Sequence, residues 1–469
     1  MTDLPVRFPR DPYCRAGTRL MLTCGDAAGE LYLGLTPDGA QPGRDMLARL
    51  TTWRGETPAP FTAAQEDGKI VLRAEGGYIK LSLGLPERLL IEGEGLSLLI
   101  GKGRAVGMFM SGGSAVDDPL PGALYVNAGA RMRILAERGR TEVRSAWNLN
   151  ALSDPDPRIF LHPDADGVLR AAVYVTDFDA APEALDAPAA PEDFEAFLRT
   201  LIAYPSDAET LHAAYVVWSC LQPVRRLAAP QITAPVYVSN RRTNGTALLS
   251  DNVLFAALLA DPKAGLRQMC GFLEYEDELG LLPRAVDNRR RLYEAETPYF
   301  GVVLRARPDV RDAIGYAEFE RLSIALDWWR HERYCREKQA FFYRHRYEPG
   351  FGARYPFPDE GPSFDPALNA CMRMWLEEMV SPAQRAGDRP LADAYCDDAR
   401  PLPDALTAPE EIPEPMELPL LLAGDAAAKR AVRDRLWQGD APPEITTLRR
   451  ALTVLAAGLL EKGETRHAD

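Results

Sequence analysis

The stretch SFDPALNACMRMWLEEM, Ser363 to Met379, places Leu368, Met372, Trp375 and Met379 three or four residues apart. Side chains at that spacing share one face of an α-helix, and a face that bulky and apolar needs a buried partner. Asp365 and Pro366 stand just ahead of it, Asp as an N-cap and Pro in a first turn where its missing N–H is not needed. Leu211, Tyr215 and Trp218 repeat the period, as do Phe319, Leu322, Leu326 and Trp329. The C-terminal half therefore reads as helices with buried stripes, roughly ten of them by this periodicity.

Upstream the rhythm changes. From about Thr18 to Asp179 the apolar runs are short and broken by Gly, Asp and Pro, as in ELYLGL, KIVLRAEGGYIKLSLGL, RLLIEG, LSLLIG and LRAAVYVTDF. Such runs signal the strands of an all-β unit, with a β-sandwich as the expected arrangement. RIFLHPDADGVLRAAVYV, Arg158 to Val175, reads as one hairpin turning at Asp164-Ala165-Asp166-Gly167. The Ala- and Pro-rich segment Ala180 to Glu192 suits a connector. The expectation is two domains, a β-sandwich over 1–185 and a helical domain over 193–469. A second Pro-rich break, Pro401 to Pro419, sets the last two helical stretches apart.

A chain of 469 residues exceeds what one core usually serves. Its net charge of -14 argues against nucleic acid and anionic membrane as partners, since both call for clustered Lys and Arg. Seven dispersed cysteines without a CxxC pair read as reduced thiols, and MTDLPVRFPRDPY has no apolar segment of a signal peptide. The apolar run Val253 to Ala260 is too short to cross a bilayer, so the expected location is cytoplasmic. Gly101-Lys102-Gly103 is not followed by a helix pattern, Asp164 to Gly167 supplies too few oxygens for calcium, and no His/Cys cluster has zinc spacing. A nucleophile elbow is also absent. No metal or other cofactor is expected, and the sequence does not speak to oligomeric state.

Six segments of the helical half, in order, resemble glycoside hydrolase family sixty-three, the mannosylglycerate-hydrolase and processing-α-glucosidase group. AAYVVWSCLQPVRRLAAPQITAPVYVSN (Ala213–Asn240) is similar to the helix and loop that open that family's barrel. LLSDNVLFAALLA (Leu248–Ala260) resembles its Trp-Asp-His helix start, with Asp251 at the carboxylate that contacts the sugar. FLEYEDELGLLPRAVD (Phe272–Asp287), ETPYFGVVL (Glu296–Leu304), YRHRYEPGFG (Tyr343–Gly352) and SFDPALNACMRMWLEEM follow in the family's order. The resemblance covers roughly Leu211 to Gly387 and rests on six weak motifs taken together. It implies a multidomain chain, β plus all-α, whose β-sandwich precedes an (α/α)6-type helical barrel. The ten helical stretches, fewer than twelve, suggest a ring incomplete at its C-terminus. It also implies an inverting reaction on a small α-linked glycoside.

The departures fall on the chemistry. Aligned on Gly350, the family's general-acid aspartate lands on Gly352, which has no side chain. The tryptophans flanking the first carboxylate become Leu248 and Ser250, and the following His becomes Asn252. The general-base glutamate has no clear counterpart; Glu461, beside Lys462, reads as a solvated helix terminus. Three readings follow: an active glycosidase with a relocated acid, an inactive relative that binds a sugar or a partner protein, or a pocket that runs a different reaction for which the sequence names no residues.

Inversion requires a protonated carboxyl and a carboxylate across the site, roughly 6.5 to 9.5 Å apart. Glu348, Asp359 and Glu360 are the candidates for a relocated acid or base. Against these roles stand surface pairing of Glu348 with Arg344 or Arg346, and turn chemistry for Asp359 and Glu360. Asp251, Asn252, Tyr299, Phe300, His345 and Phe351 are the candidate sugar contacts, the aromatics because a ring face meets the axial hydrogens of a sugar. Asp251 serves equally well as an N-cap. For Trp218, Trp329 and Trp375 core packing is the expectation, and Asp287 and Glu294 read as a salt-bridge cluster with Arg289, Arg290 and Arg291.

Overall fold

A computed structural model describes residues 13–14, 20–24, 29–35, 46–66, 68–84, 88–102, 114–117, 123–127, 130–144, 158–177, 194–223, 237–239, 247–286, 291–345, 348, 361–412, 414–437 and 448–466. The chain divides into two compact units, one reaching Phe194 and taking in Trp218–Cys220, the other built from Glu195 onward. The connector expected over Ala180 to Glu192 lies outside the described residues.

The first unit consists of two antiparallel sheets. One orders its strands Tyr13–Cys14, Leu20–Cys24, Leu31–Leu35, Met46–Arg54, Ser97–Lys102, Arg158–His162 and Arg140–Arg144, with Thr57–Pro58 beside Met46–Arg54. The other runs Ser114–Asp117, Ala123–Asn127, Ala130–Arg138, Val168–Asp177, Arg88–Glu94, Gly77–Gly84, Lys69–Ala74 and Phe61–Glu66. Alternation decides which face each residue takes: in Arg88–Glu94, Leu89 and Ile91 are buried while Leu90 and Glu92 point outward. Leu22, Leu33, Leu50, Leu98 and Leu161 of one sheet join Leu72, Leu81, Ile91, Ile134 and Val173 of the other in a single core.

The hairpin expected over Arg158 to Val175 is not one. Its two strands belong to different sheets, and the turn at Asp164–Gly167 carries the chain across the core. The turn chemistry itself holds: Asp164 accepts from the amides of Asp166 and Val168 at 3.0 Å each, and Gly167 has φ +80°. A second crossing at Gly95 lies alongside, its amide donating to the Gly167 carbonyl at 2.9 Å. A turn signal reports reversal of direction, and either strand partner is compatible with it.

The second unit contains twelve α-helices among the described residues: α1 Phe194–Leu198, α2 Ala208–Cys220, α3 Leu249–Phe255, α4 Pro262–Cys270, α5 Phe300–Ala306, α6 Pro308–Asp312, α7 Tyr316–Glu332, α8 Pro366–Arg385, α9 Arg389–Ala399, α10 Glu414–Ala423, α11 Ala426–Leu436 and α12 Leu448–Arg466. That exceeds the ten that periodicity picks out; α1 and α6 are five residues each, too short to display a period. Five begin on aspartate caps, with Asp207, Asp261, Asp365, Asp388 and Asp425 each accepting amides of the first turn. The stripes of α7 (Phe319, Leu322, Leu326, Trp329) and α8 (Leu368, Met372, Trp375, Met379) are buried throughout. The Pro-rich break expected up to Pro419 ends earlier, because α10 starts at Glu414 and contains Pro419. Burial of Leu418, Leu420, Leu421 and Leu422 offsets the hydrogen bond that Pro419 cannot make. Among the described residues no helix is long and apolar enough to cross a membrane.

Candidate functional site

Helices α3, α5, α7 and α8 border a small recess of about 20 Å³, room for about one water. Its walls are largely aromatic, from Phe300, Trp328, Trp329 and Trp375, completed by Leu249, Leu281, Leu282 and Pro298. Phe300 stacks on Trp375 with centroids 4.9 Å apart, and Trp328 meets Trp329 edge to face at 5.4 Å. Trp329 and Trp375, expected as core, are both core and wall.

Glu296 is the one charged residue on that wall. The residue keeps a partly exposed face, but its Oε2 is buried with no hydrogen-bond partner among the described residues. Burial pushes its carboxyl above the ordinary carboxylate range. Arg284, Arg449 and the nearby Ser250 hydroxyl pull it partly back, and Asp251 adds to the rise. Glu296 is therefore arranged to keep a proton at a pH where an exposed glutamate would lose it.

Beneath Glu296 lies a buried ionic layer. Arg449, in the first turn of α12, donates to Asp251 Oδ1 from Nε at 2.8 Å and from Nη2 at 2.6 Å. The same Nη2 donates to Ser250 Oγ at 3.0 Å, and the guanidinium lies 5.6 Å from the centre of the Tyr299 ring. Asp251 is 1% exposed and occupies the third position of α3, inside the turn rather than at its cap. Asn252 is fully buried in an amide pair with Gln268 of α4, donating to its carbonyl at 3.0 Å and accepting from its Nε2 at 2.6 Å. Tyr299 is buried at the start of α5, where loss of solvent pushes its phenol upward.

Glu348 has another environment. It is 3% exposed, so pairing at the surface does not describe it. Its Oε1 accepts from Arg333 Nη2 at 3.1 Å, and Oε2 accepts from the Arg344 amide. Arg333 in turn lies 4.8 Å from the centre of the Trp328 ring, which places Glu348 behind the recess wall. His345 is half exposed, with Nε2 at 3.7 Å from Glu348 Oε1. Tyr343, on the same segment, shares a 2.7 Å hydrogen bond with Thr297. Asp359, Glu360 and Phe351 lie outside the described residues, as do Gly352, Asp287, Arg289 and Arg290. Glu294 pairs with Arg284 at 2.9 Å. Among the described residues, no group of three or more His, Cys, Asp or Glu is placed to hold a metal.

The structure thus draws Asp251, Tyr299 and Phe300 to one place, keeps Asn252 in the α3–α4 packing, and sets Glu348 and His345 one layer back. Glu296 and Arg449 are residues that the sequence reading passes over. The signals were present: Glu296 is the charge that leads directly into the apolar run from Thr297 to Leu304. Arg449 and Arg450 open an apolar helix at the end where the helix dipole disfavours cations, so each needs a carboxylate partner. Arg450 has its own in Glu417 at 2.5 Å.

No protein-family model and no curated protein matches the sequence. Among solved structures, the chain resembles an inverting mannosidase of family GH92 from Bacteroides thetaiotaomicron, at 12% identity and a TM-score of 0.51, over 83% of this chain and 61% of that one. A bacterial glucoamylase complexed with acarbose aligns at 9% identity and a TM-score of 0.49, over 82% and 64%. The chain spans less than two thirds of the length of either. At such identities the likeness is one of architecture, and the chain has a glycoside hydrolase-like fold, antiparallel β-sheets followed by helices.

Proposed function

We propose that the helical unit is an (α/α)6-type barrel that hydrolyses a small α-linked glycoside with inversion, the scissile bond meeting Glu296 at the mouth of its recess. A single observation carries the reading: a recess walled by Phe300, Trp328, Trp329 and Trp375 that holds one carboxyl, Glu296, with a buried oxygen left unpartnered. A carboxyl kept protonated by burial suits proton donation to a leaving oxygen.

In this reading Glu296 protonates the glycosidic oxygen as the bond from the anomeric carbon to that oxygen breaks. A water attacks the opposite face of the ring, and its proton passes to a carboxylate across the recess. Asp359 and Glu360 remain the candidates for that base. Glu348 holds its loop, because both of its oxygens already have donors. Loss of the family's acid at Gly352 then marks a transfer of the role to a different wall.

Gly352 also favours a second reading, a sugar-binding relative without turnover. A screen of α-glucosides, trehalose and mannosylglycerate separates the two. Hydrolysis is expected with wild type, and Glu296→Gln is expected to lower kcat by about 10²- to 10⁴-fold. Equal turnover by both proteins would remove Glu296 from the chemistry. Saturable sugar binding without turnover by wild type would support the second reading.

A further inference from the structure

In the first unit, three neighbouring strands of one sheet bring a hydroxyl, an imidazole and a carboxylate into line. Leu98 and Leu161 point into the core, so alternation turns Ser97 and His162 to the opposite face. Ser97 Oγ lies 2.9 Å from His162 Nδ1, and His162 Nε2 lies 3.0 Å from Glu142 Oε2. Glu142 is held as a carboxylate, because Arg144 donates to its Oε1 at 2.5 Å and Arg140 to its Oε2 at 3.2 Å. A carboxylate only accepts, so Nε2 carries the hydrogen of the neutral ring and Nδ1 accepts from the Ser97 hydroxyl. Phe160 lies against the imidazole, with centroids 5.6 Å apart and planes within 5°, and Trp53 meets Phe160 edge to face at 5.3 Å. The ring is thereby fixed in both tautomer and plane.

A serine hydroxyl on an unprotonated imidazole nitrogen, with a carboxylate orienting the far side of the ring, is the arrangement that turns serine into a nucleophile. Sheet packing by itself calls for neither the fixed tautomer nor the charge behind it. We infer that Ser97, His162 and Glu142 form an acyl-transfer site that cleaves short-chain esters, independently of the reading of Glu296. Ser97 Oγ bonds to the ester carbonyl carbon as its proton passes to His162 Nδ1. The bond from that carbon to the alkoxy oxygen then breaks, and His162 returns the proton to the leaving alcohol. Water, deprotonated by the same nitrogen, releases the carboxylic acid and restores Ser97. Ser97 is 5% exposed, which limits the acyl group to a small one. Glu142 acts through His162 and is a positioning residue.

The experiment treats the full chain with p-nitrophenyl acetate and, separately, with a small alkyl fluorophosphonate, locating the adduct by peptide mass spectrometry. Wild type is expected to turn over the ester and to carry one phosphonyl group on Ser97, and Ser97→Ala to do neither. His162→Gln should slow labelling by about 10²- to 10⁴-fold. Glu142→Gln, which keeps the shape and loses the charge, should lower kcat for the ester at unchanged KM. A wild-type chain without an adduct on Ser97, or one labelled as fast in His162→Gln, overturns the site. Should His162→Gln fail to fold, wild type decides alone: Ser97 labelled in the native chain and not in urea supports the site, and equal labelling in both overturns it.

Discussion

Glu276 shows the consequence of enclosing a single carboxyl without using it. It follows the short turn Leu273–Tyr275, and its Oε1 is buried with no hydrogen-bond partner among the described residues. Burial pushes it up to about 7, with Arg321 opposing and Asp277 assisting. A carboxyl raised in the folded state binds its proton more tightly there than in the unfolded chain. Its contribution to stability is thus complete below the ordinary glutamate value of about 4.3 and is lost as pH rises through about 7. Thermal melts at pH 5 and pH 8 check this: wild type should lose more stability across that interval than Glu276→Gln. Equal losses would mean that Glu276 ionises freely. Glu296 is raised for the same reason, but it stands on the wall of a recess. Position, rather than the shift, separates a candidate acid from a strained one.

At the scale of the elements, α5 and α8 approach until their backbones nearly touch. A methyl group on Gly301 would lie 2.2 Å from the Trp375 amide nitrogen. That proximity brings Phe300 onto Trp375 and sets the width of the recess. Gly301→Ala must separate the helices, and overpacking of this kind costs about 1–3 kcal/mol. The expectation for denaturant unfolding is a lower midpoint with an unchanged slope, together with weaker sugar binding. An unshifted midpoint would show that the two helices yield easily. The charges between these elements are mutual: Glu378 of α8 accepts from Arg311 at 2.7 Å and also from Arg305, while Glu377 pairs with Arg305 at 2.6 Å. These networks hold α5 and α6 against α8 and leave Glu296 as the carboxyl of the recess.

Within the helical unit, the Asp251–Arg449 bond joins residues 198 positions apart. Both partners are buried, and removal of one strands the other's charge, at a cost of about 3–5 kcal/mol. Arg449→Met is expected to destabilise by that amount. The double variant with Asp251→Leu is expected to lose much less than the sum of the singles, as a double-mutant cycle in denaturant would reveal. Additive losses would mean that the two residues act separately. The cycle also bears on the site, because Arg449 of α12 touches Ser250 and Tyr299, the neighbours of Leu249 and Phe300 on the recess wall.

Much of the architecture could be read locally. Leu368, Met372, Trp375 and Met379 announced a buried helix, Asp365 its cap, and the alternation in RLLIEGE a half-buried strand, since periods of 3.6 and 2 are properties of neighbouring residues. Asp251 stood out for the same reason, as a charge at an apolar helix start. Partner choice was not local. Whether the turn at Asp164–Gly167 joined paired strands or crossed the core depended on sheets assembled elsewhere in the chain. That Glu348 is held by Arg333, that Trp329 and Trp375 form a wall as well as a core, and that Arg449 meets Asp251 and Ser250 all needed residues from separate parts of the chain to meet. Periodicity records which side of an element is buried, whereas tertiary structure alone selects what it is buried against, and the chemistry of this site resides in that selection.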